Sequence, residues 1–110
     1  MPLFQSSSSY AQVRYHDHTQ PSTQSAAMLT DIAAFGGLIV KTDGANDATF
    51  TIYDSTTASG TLLAPESFAV PGTAGLWTFS VDPPLRAANG IYVDLACAGN
   101  VWYMVLYDRG

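Results

Sequence analysis

The chain has 110 residues, a formal net charge of −5 and a hydrophobic fraction of 47%, and only 12% of its residues are charged. This length gives one domain with a single core, and the hydrophobic fraction argues against disorder over the whole chain. The four basic residues are scattered, so we expect neither a nucleic acid nor an anionic membrane surface as a partner.

The single cysteine, Cys97, excludes an intrachain disulfide, so the fold has to be stable without one. This fits synthesis in a cytosol but does not require it. The N-terminal residues show neither the basic region nor the apolar run of a signal peptide, and the longest apolar run of the chain is far shorter than the ~20 residues that span a bilayer. We therefore expect a protein that is made and used in solution.

Residues 1–9 are predicted to form an arm outside the domain. Residues 6–9 are four serines with nothing to bury, and Leu3 and Phe4 before them are apolar and lack a local partner. Two interpretations stay open, since chain ends are disordered unless something ties them down. Either the arm is a frayed terminus, or it docks Leu3 and Phe4 on a neighbouring subunit.

The remaining residues, 10–110, consist of short runs of β-branched and aromatic residues separated by Pro, Gly, Asn and Asp. Runs at a spacing of about 8–12 residues are typical of all-β sandwiches and barrels. Residues 24–32 fit either a strand or a single helical turn. The other predicted strands are residues 10–16, 35–42, 49–53, 61–63, 66–70, 76–81, 91–97 and 101–107. We therefore predict one all-β domain over residues 10–110, a small β-sandwich of about eight antiparallel strands.

The clearest hairpin of the first half joins residues 35–42 to residues 49–53. Its turn, residues 43–47, contains a Gly that can supply a positive φ, and Asp and Asn side chains that can bond their own backbone. The paired glycines Gly36 and Gly37 indicate a bulge or the close approach of another backbone.

Two further sequence signals mark where strands of the second half begin or end. Asp82-Pro83-Pro84 predicts the end of the strand over residues 76–81. Asn89-Gly90 predicts a tight turn before residues 91–97.

The last predicted strand is apolar on both faces, whereas a strand of a two-layer sandwich normally has a polar outer face. One face carries Trp102, Met104 and Leu106, and the other carries Val101, Tyr103, Val105 and Tyr107. Either the chain itself covers this strand on both sides, or one face meets another subunit. We take as candidate interface residues Leu3, Phe4, Tyr103, Val105 and Tyr107.

No cluster of residues indicates catalysis. His16 and His18 would point the same way on a strand, but two imidazoles alone do not select a metal. Most aspartates lie at strand ends and turns, where they bond the backbone, and nucleophile and phosphate-loop motifs are absent from the sequence. We predict a protein that is not an enzyme and has no catalytic residues, no metal site, no cofactor and no small-molecule substrate.

The aromatic residues raise one alternative function. Sugar-binding β-sandwiches stack Trp and Tyr rings on sugar rings, and the candidates here are Trp77, Trp102, Tyr103 and Tyr107. Against this, both tryptophans alternate with other large apolar residues, as core residues do, and aromatic surface more often indicates protein contact. A carbohydrate-binding module, lectin-like or associated with a tail or fibre, stays open as the second possibility.

A strand that ends in Lys41-Thr42-Asp43-Gly44 is followed by Asn46-Asp47 and by an alternating strand that ends in Tyr53-Asp54. A later run, Asn89-Gly90-Ile91-Tyr92-Val93, precedes the closing strand. In these motifs, over roughly residues 36–107, the chain resembles small structural proteins of tailed bacteriophages.

This resemblance implies a virion component of the capsid decoration or cement type, with a jelly-roll or related β-sandwich fold. It also implies a homotrimer that binds the major capsid protein on the capsid exterior after synthesis in the host cytoplasm. The acidic composition fits a protein outside the shell better than one that touches packaged DNA. A tail, neck or fibre-associated role stays open.

Overall fold

The computed structural model describes residues 16–64 and 66–108, and these form an all-β structure. Its nine strands and a 3-10 turn (Gly72–Ala74) follow the chain in this order: β1 (Asp17–His18), β2 (Ala26–Leu29), β3 (Ala33–Lys41), β4 (Ala48–Asp54), β5 (Thr61–Leu62), β6 (Phe68–Val70), β7 (Leu76–Ala87), β8 (Ile91–Cys97) and β9 (Trp102–Asp108). None of the described helical segments is long and apolar enough to cross a membrane.

The strands form two antiparallel sheets. The first sheet has the order β1-β9-β3-β7, and the second has the order β2-β8-β4-β5, with β6 also paired to β4. Strands β5 and β6 follow one another along the same edge of β4, because β5 pairs with Tyr53 and Asp54 while β6 pairs with Ala48, Thr49 and Phe50. They therefore count as one broken edge strand, which makes eight strands among the described residues.

This pairing is that of a jelly roll, in which eight strands form two packed sheets. In the first sheet, β1 pairs with β9, β9 with β3, and β3 with β7. In the second sheet, β2 pairs with β8, β8 with β4, and β4 with both β5 and β6. The predicted β-sandwich of about eight antiparallel strands is confirmed, and the strand order adds the topology.

The core lies between the two sheets and follows from the two-residue period of the strands. On β4, Ala48, Phe50 and Ile52 are buried, whereas Thr49 between them is exposed. The rings of Tyr103 on β9 and Phe50 on β4 pack in a T-shaped arrangement, with 5.5 Å between ring centroids. The other fully buried large side chains are Phe35, Leu38, Val40, Val70, Ile91, Val93, Val101 and Val105.

The predicted irregularity at the paired glycines is confirmed inside β3. The register between β3 and β7 shifts between Phe35 and Gly37. Gly37 has a φ of 132°, and a Cβ on it would collide with the carbonyl oxygen of Phe79. Only glycine therefore allows the two strands to approach this closely at the bulge.

The structure resolves one open expectation about the strands and corrects another. The ambiguous residues 24–32 contain strand β2, with no helical turn. The prolines do not end the strand at residue 81, because β7 continues to Ala87. Residues 81–84 have no partner on β3, so the prolines remove no ladder hydrogen bond there. The predicted arm, residues 1–9, and most of the predicted strand over residues 10–16 lie outside the described residues.

Candidate functional surface

The predicted interface face of the last strand is part of the core. Tyr103 is 1% exposed and Val105 is 0% exposed, and both are covered by this same chain. Tyr107 is half-buried and packs against the core cluster. The expectation that these residues contact another subunit is therefore wrong for Tyr103 and Val105. Leu3 and Phe4, the other two predicted interface residues, lie outside the described residues.

Tyr103 explains why this face turns inward. Its hydroxyl donates a hydrogen bond to the backbone carbonyl oxygen of Gln24 at 2.6 Å, which satisfies the polar end of the buried ring. Burial raises the pKa of the Tyr103 hydroxyl, because the charged phenolate would be poorly solvated there.

The opposite face of β9 is apolar and lies on the outside of the first sheet. The register places Trp102 beside Lys41 on β3 and Met104 beside Ile39, and Lys41 in turn lies beside Leu76 on β7. We call the apolar part of this surface the outer patch, which consists of Pro21, Ile39, Leu76, Trp102 and Met104.

The outer patch is open to solvent. Leu76 is 70% exposed and Trp102 is 40% exposed. The residues of the patch, together with Lys41 and Tyr103, line an open hollow of about 200 Å³. A cavity of roughly 150 Å³ can hold a benzene ring, so the hollow is large enough for an aromatic side chain from a partner.

A buried hydroxyl fixes the end of the patch that Leu76 occupies. Thr42, which follows β3, donates a hydrogen bond from Oγ1 to the carbonyl oxygen of Gly72 at 2.7 Å and accepts one from the N–H of Gly75 at 3.0 Å. Asp47 accepts a further hydrogen bond from the N–H of Gly72 at 2.7 Å. These contacts hold the turn before β7 against the end of β3, and so place Leu76 beside Lys41.

Sequence reasoning missed Leu76, Ile39 and Pro21. A signal for Leu76 was present, since by alternation it lies on the same face of its strand as the polar Thr78 and Ser80, opposite Trp77 and Phe79. Because alternate residues of a strand share one face, Leu76 is expected to be exposed beside these two polar residues. Pro21 had no such signal, because its loop is placed beside β9 by contacts distant in sequence, namely the bridge between Ser22 and Tyr103 and the hydrogen bond from Thr19 N–H to the carbonyl oxygen of Val105.

A second feature lies at the side of the sandwich where β6 and β7 are the edge strands of the two sheets. Phe68, Trp77 and Phe79 form a cluster of half-buried rings there, with centroids 5.8 Å apart for Phe68–Trp77 and 5.2 Å apart for Phe68–Phe79. These rings and the neighbouring Ala64, Glu66, Ser67 and Ala69 line a cleft of about 270 Å³, which we call the edge cleft.

The four aromatic residues considered for sugar binding do not form one row. Tyr103 is in the core, and Tyr107 is half-buried against it. Trp77 belongs to the edge cleft, whereas Trp102 belongs to the outer patch on the other side of the first sheet. Of the four, Trp102 alone combines an exposed ring with a hollow beside it.

The carboxylate of Asp43 binds backbone N–H groups of the turn between β3 and β4. Asp43 accepts hydrogen bonds from the N–H groups of Ala45 and Asn46 at 2.9 and 2.8 Å, and from Asn100 N–H at 3.3 Å. These bonds, that from the Asn46 backbone above all, hold the pKa of Asp43 well below its usual value. The predicted turn at residues 43–47 is thus confirmed, with Asp43 as its anchor.

The two histidines considered as metal ligands lie at the edge of the first sheet. His18 lies on β1, with its Nδ1 3.1 Å from the carbonyl oxygen of Thr19, and the His16 ring lies against Gly36. Within residues 16–64 and 66–108, no three His, Cys, Asp or Glu side chains are grouped so that they could hold a metal ion.

Comparison of the chain with known protein families, with curated proteins and with solved structures found no match.

Proposed function

We propose that this chain is a non-enzymatic structural protein of a phage virion, a capsid decoration or cement protein that binds the major capsid protein on the capsid exterior and contacts copies of itself. The observation that carries the proposal is the outer patch. It supports a protein contact because a contiguous apolar surface on a small domain is typical of an interaction site.

The composition of the patch supports a protein partner. Tryptophan and methionine are enriched at protein interfaces, and Trp102 and Met104 lie next to one another across the middle of the outer face. Lys41 lies beside the patch and lines the same hollow, where its ammonium group can meet a carboxylate of the partner.

The low charge of the chain supports a permanent contact rather than a free protein. With 12% charged residues, copies of the chain repel each other weakly. The net charge of −5 disfavours contact with packaged DNA, so the outside of the shell is the surface that fits.

Co-sedimentation with purified capsids of the parent phage tests the proposal. We expect the chain to pellet with capsids, and we expect Trp102→Ala to weaken this binding by roughly thirtyfold, or about 2 kcal/mol, as for a central interface tryptophan. Leu76→Ser should also weaken binding. Leu62→Ser is the matched control, because Leu62 is 38% exposed on the other sheet. Capsid binding that is unchanged by Trp102→Ala and Leu76→Ser, or that falls as much with Leu62→Ser as with these two, would refute the proposal. So would a chain that never pellets with capsids.

A carbohydrate-binding module is the second candidate, and the exposed Trp102 beside its hollow is the observation that favours it. A glycan array separates the two functions. Sugar binding that Trp102→Ala abolishes while the variant stays folded would support this second function over the first.

A further inference from the structure

Residues 76–80 of strand β7 form a sheet edge without the features that normally protect one, whereas the rest of β7 carries Asp82, Pro83, Pro84 and Arg86 and a register shift against β3. Edge strands in native proteins are kept short, charged, bulged or covered, because their free N–H and C=O groups can pair with another chain. β7 has twelve residues, and residues 76–81 contain no charged residue and no proline.

The other described edges have such protection. β1 has two residues and carries Asp17 and His18. β2 has four residues and a register shift against β8. The edge made of β5 and β6 is broken into pieces of two and three residues. The contrast singles out β7 as the edge that is open to a further strand.

We propose that residues 76–80 of β7 pair antiparallel with the same residues of a second copy of this chain, so that the first sheets of two copies join into one eight-stranded sheet. The contact is two-fold and isologous, the commonest symmetry among soluble oligomers. It uses the backbone edge of β7, which shares only Leu76 with the outer patch, so it goes beyond the proposed function and does not depend on it.

The charge distribution favours a second copy as the occupant. No charged side chain would face its own copy within the paired segment, whereas like charges directly opposite each other destabilise a strand pair. The nearest carboxylate, Asp82, lies beyond one end of the segment. Antiparallel pairing centred on Thr78 places the two copies of Asp82 about 27 Å apart along the strands at 3.4 Å per residue, well beyond the ~8 Å screening length of physiological salt.

The register follows from the faces of the strand. Directly opposite residues of an antiparallel pair lie on the same face of the sheet, so a two-fold axis must pass through a residue that opposes its own copy. The regular ladder of β7 with β3 runs from Leu76 to Ser80, and its middle residue is Thr78. Centring on Thr78 places Trp77 opposite Phe79 on the inner face, which is an aromatic cross-strand pair of the favourable kind.

The edge cleft provides an independent reason for a neighbour at this side. Phe68, Trp77 and Phe79 are only half-buried there, although they pack against the core cluster. A second copy paired to β7 would lie beside this opening and would remove part of these rings from water.

The test is a disulfide between the two copies of residue 78. In a Cys97→Ser background, Thr78→Cys should form a covalent dimer on mild oxidation, because opposite residues of an antiparallel pair have Cα atoms about 4.5–5.5 Å apart, within the range that a disulfide spans. Thr49→Cys in the same background is the control, since Thr49 is exposed on β4, an inner strand of the other sheet. It should cross-link much more slowly.

Light scattering on the unmodified chain gives the second readout. We expect twice the monomer mass of 11.7 kDa, and we expect Thr78→Lys to give a monomer with an unchanged circular dichroism spectrum, because Thr78 is exposed in the single chain. A monomer at all concentrations, a trimer, or a dimer that neither cross-links at residue 78 nor responds to Thr78→Lys would overturn the proposal. Capsid binding is measured separately, so failure here leaves the proposed function standing.

Discussion

Lys41 Nζ lies 5.7 Å from the centre of the Trp102 ring, on the neighbouring strand of the first sheet. A cation over an indole face is attracted by the ring quadrupole. The pair fixes the orientation of the largest exposed ring of the outer patch, and the ammonium group keeps the rim of the apolar surface hydrated.

The Lys41–Trp102 contact should be measurable as a coupling energy. A double-mutant cycle with Lys41→Met and Trp102→Leu, followed by urea unfolding, should give a coupling of about 0.5–1 kcal/mol, the range for exposed cation–π pairs. Additive effects of the two substitutions would show that the ring and the ammonium group do not interact in solution.

The assignment of the two faces of β9 predicts that truncating a side chain destabilises the fold more on the inner face than on the outer face. Val105→Ala should lower the free energy of unfolding by about 2 kcal/mol or more, since it removes roughly two buried carbon groups at ~0.8 kcal/mol each and leaves a cavity. Trp102→Ala, on the outer face, should cost less in thermal or urea unfolding although it removes a much larger side chain. If Val105→Ala were neutral and Trp102→Ala severe, the faces would be exchanged.

The buried Tyr103 predicts how stability falls at alkaline pH. Its folded-state pKa is raised above 10.0 by burial, so the unfolded chain loses this proton first as the pH rises. The corresponding stability is fully present below pH 10 and is lost as the pH rises through the folded-state pKa. Tyr103→Phe should therefore lose less stability above pH 10 than the unmodified chain in urea titrations at several pH values. Parallel declines would mean that Tyr103 titrates alike in both states.

The lowered pKa of Asp43 predicts how the stability of the fold falls at acid pH, whereas the raised pKa of Tyr103 acts at alkaline pH. Its folded-state pKa lies well below the ordinary 3.8 because backbone N–H groups bind the carboxylate. Its contribution is present above the unfolded-state pKa and is lost as the pH falls through the folded-state pKa. Asp43→Ala should be less stable than the unmodified chain at pH 7, and thermal melts at decreasing pH should show this difference shrinking below pH 4. A difference that stays constant down to strongly acid pH would contradict the role given to this carboxylate.

Much of the fold could be predicted from local sequence. The turn at Asp43 and the bulge at Gly37 come from residues whose side chains, or lack of them, dictate backbone geometry within a few residues. The alternation on β4 likewise shows which residues point inward. The expectation that the prolines at residues 83 and 84 end the strand was wrong, because a strand tolerates proline where its neighbour makes no hydrogen bonds to it. Here β3 leaves residues 81–84 unpaired.

The candidate surface was harder to predict because both faces of β9 are apolar. Alternation separates Trp102 from Tyr103 but does not say which of them faces the core. That choice depends on distant contacts, namely the Phe50 ring and the carbonyl oxygen of Gln24, both of which Tyr103 meets. The same holds for Leu76, whose place beside Lys41 depends on the hydrogen bonds of Thr42 to the turn before β7.

Hydroxyl-radical footprinting of the chain, free and bound to capsids of its phage, tests the central assignment most directly. If the outer patch is the contact surface, the oxidation rates of Trp102 and Met104 fall on binding, while that of Leu62 on the other sheet stays the same. Trp102 and Met104 oxidised as fast in the bound chain as in the free chain would contradict the assignment.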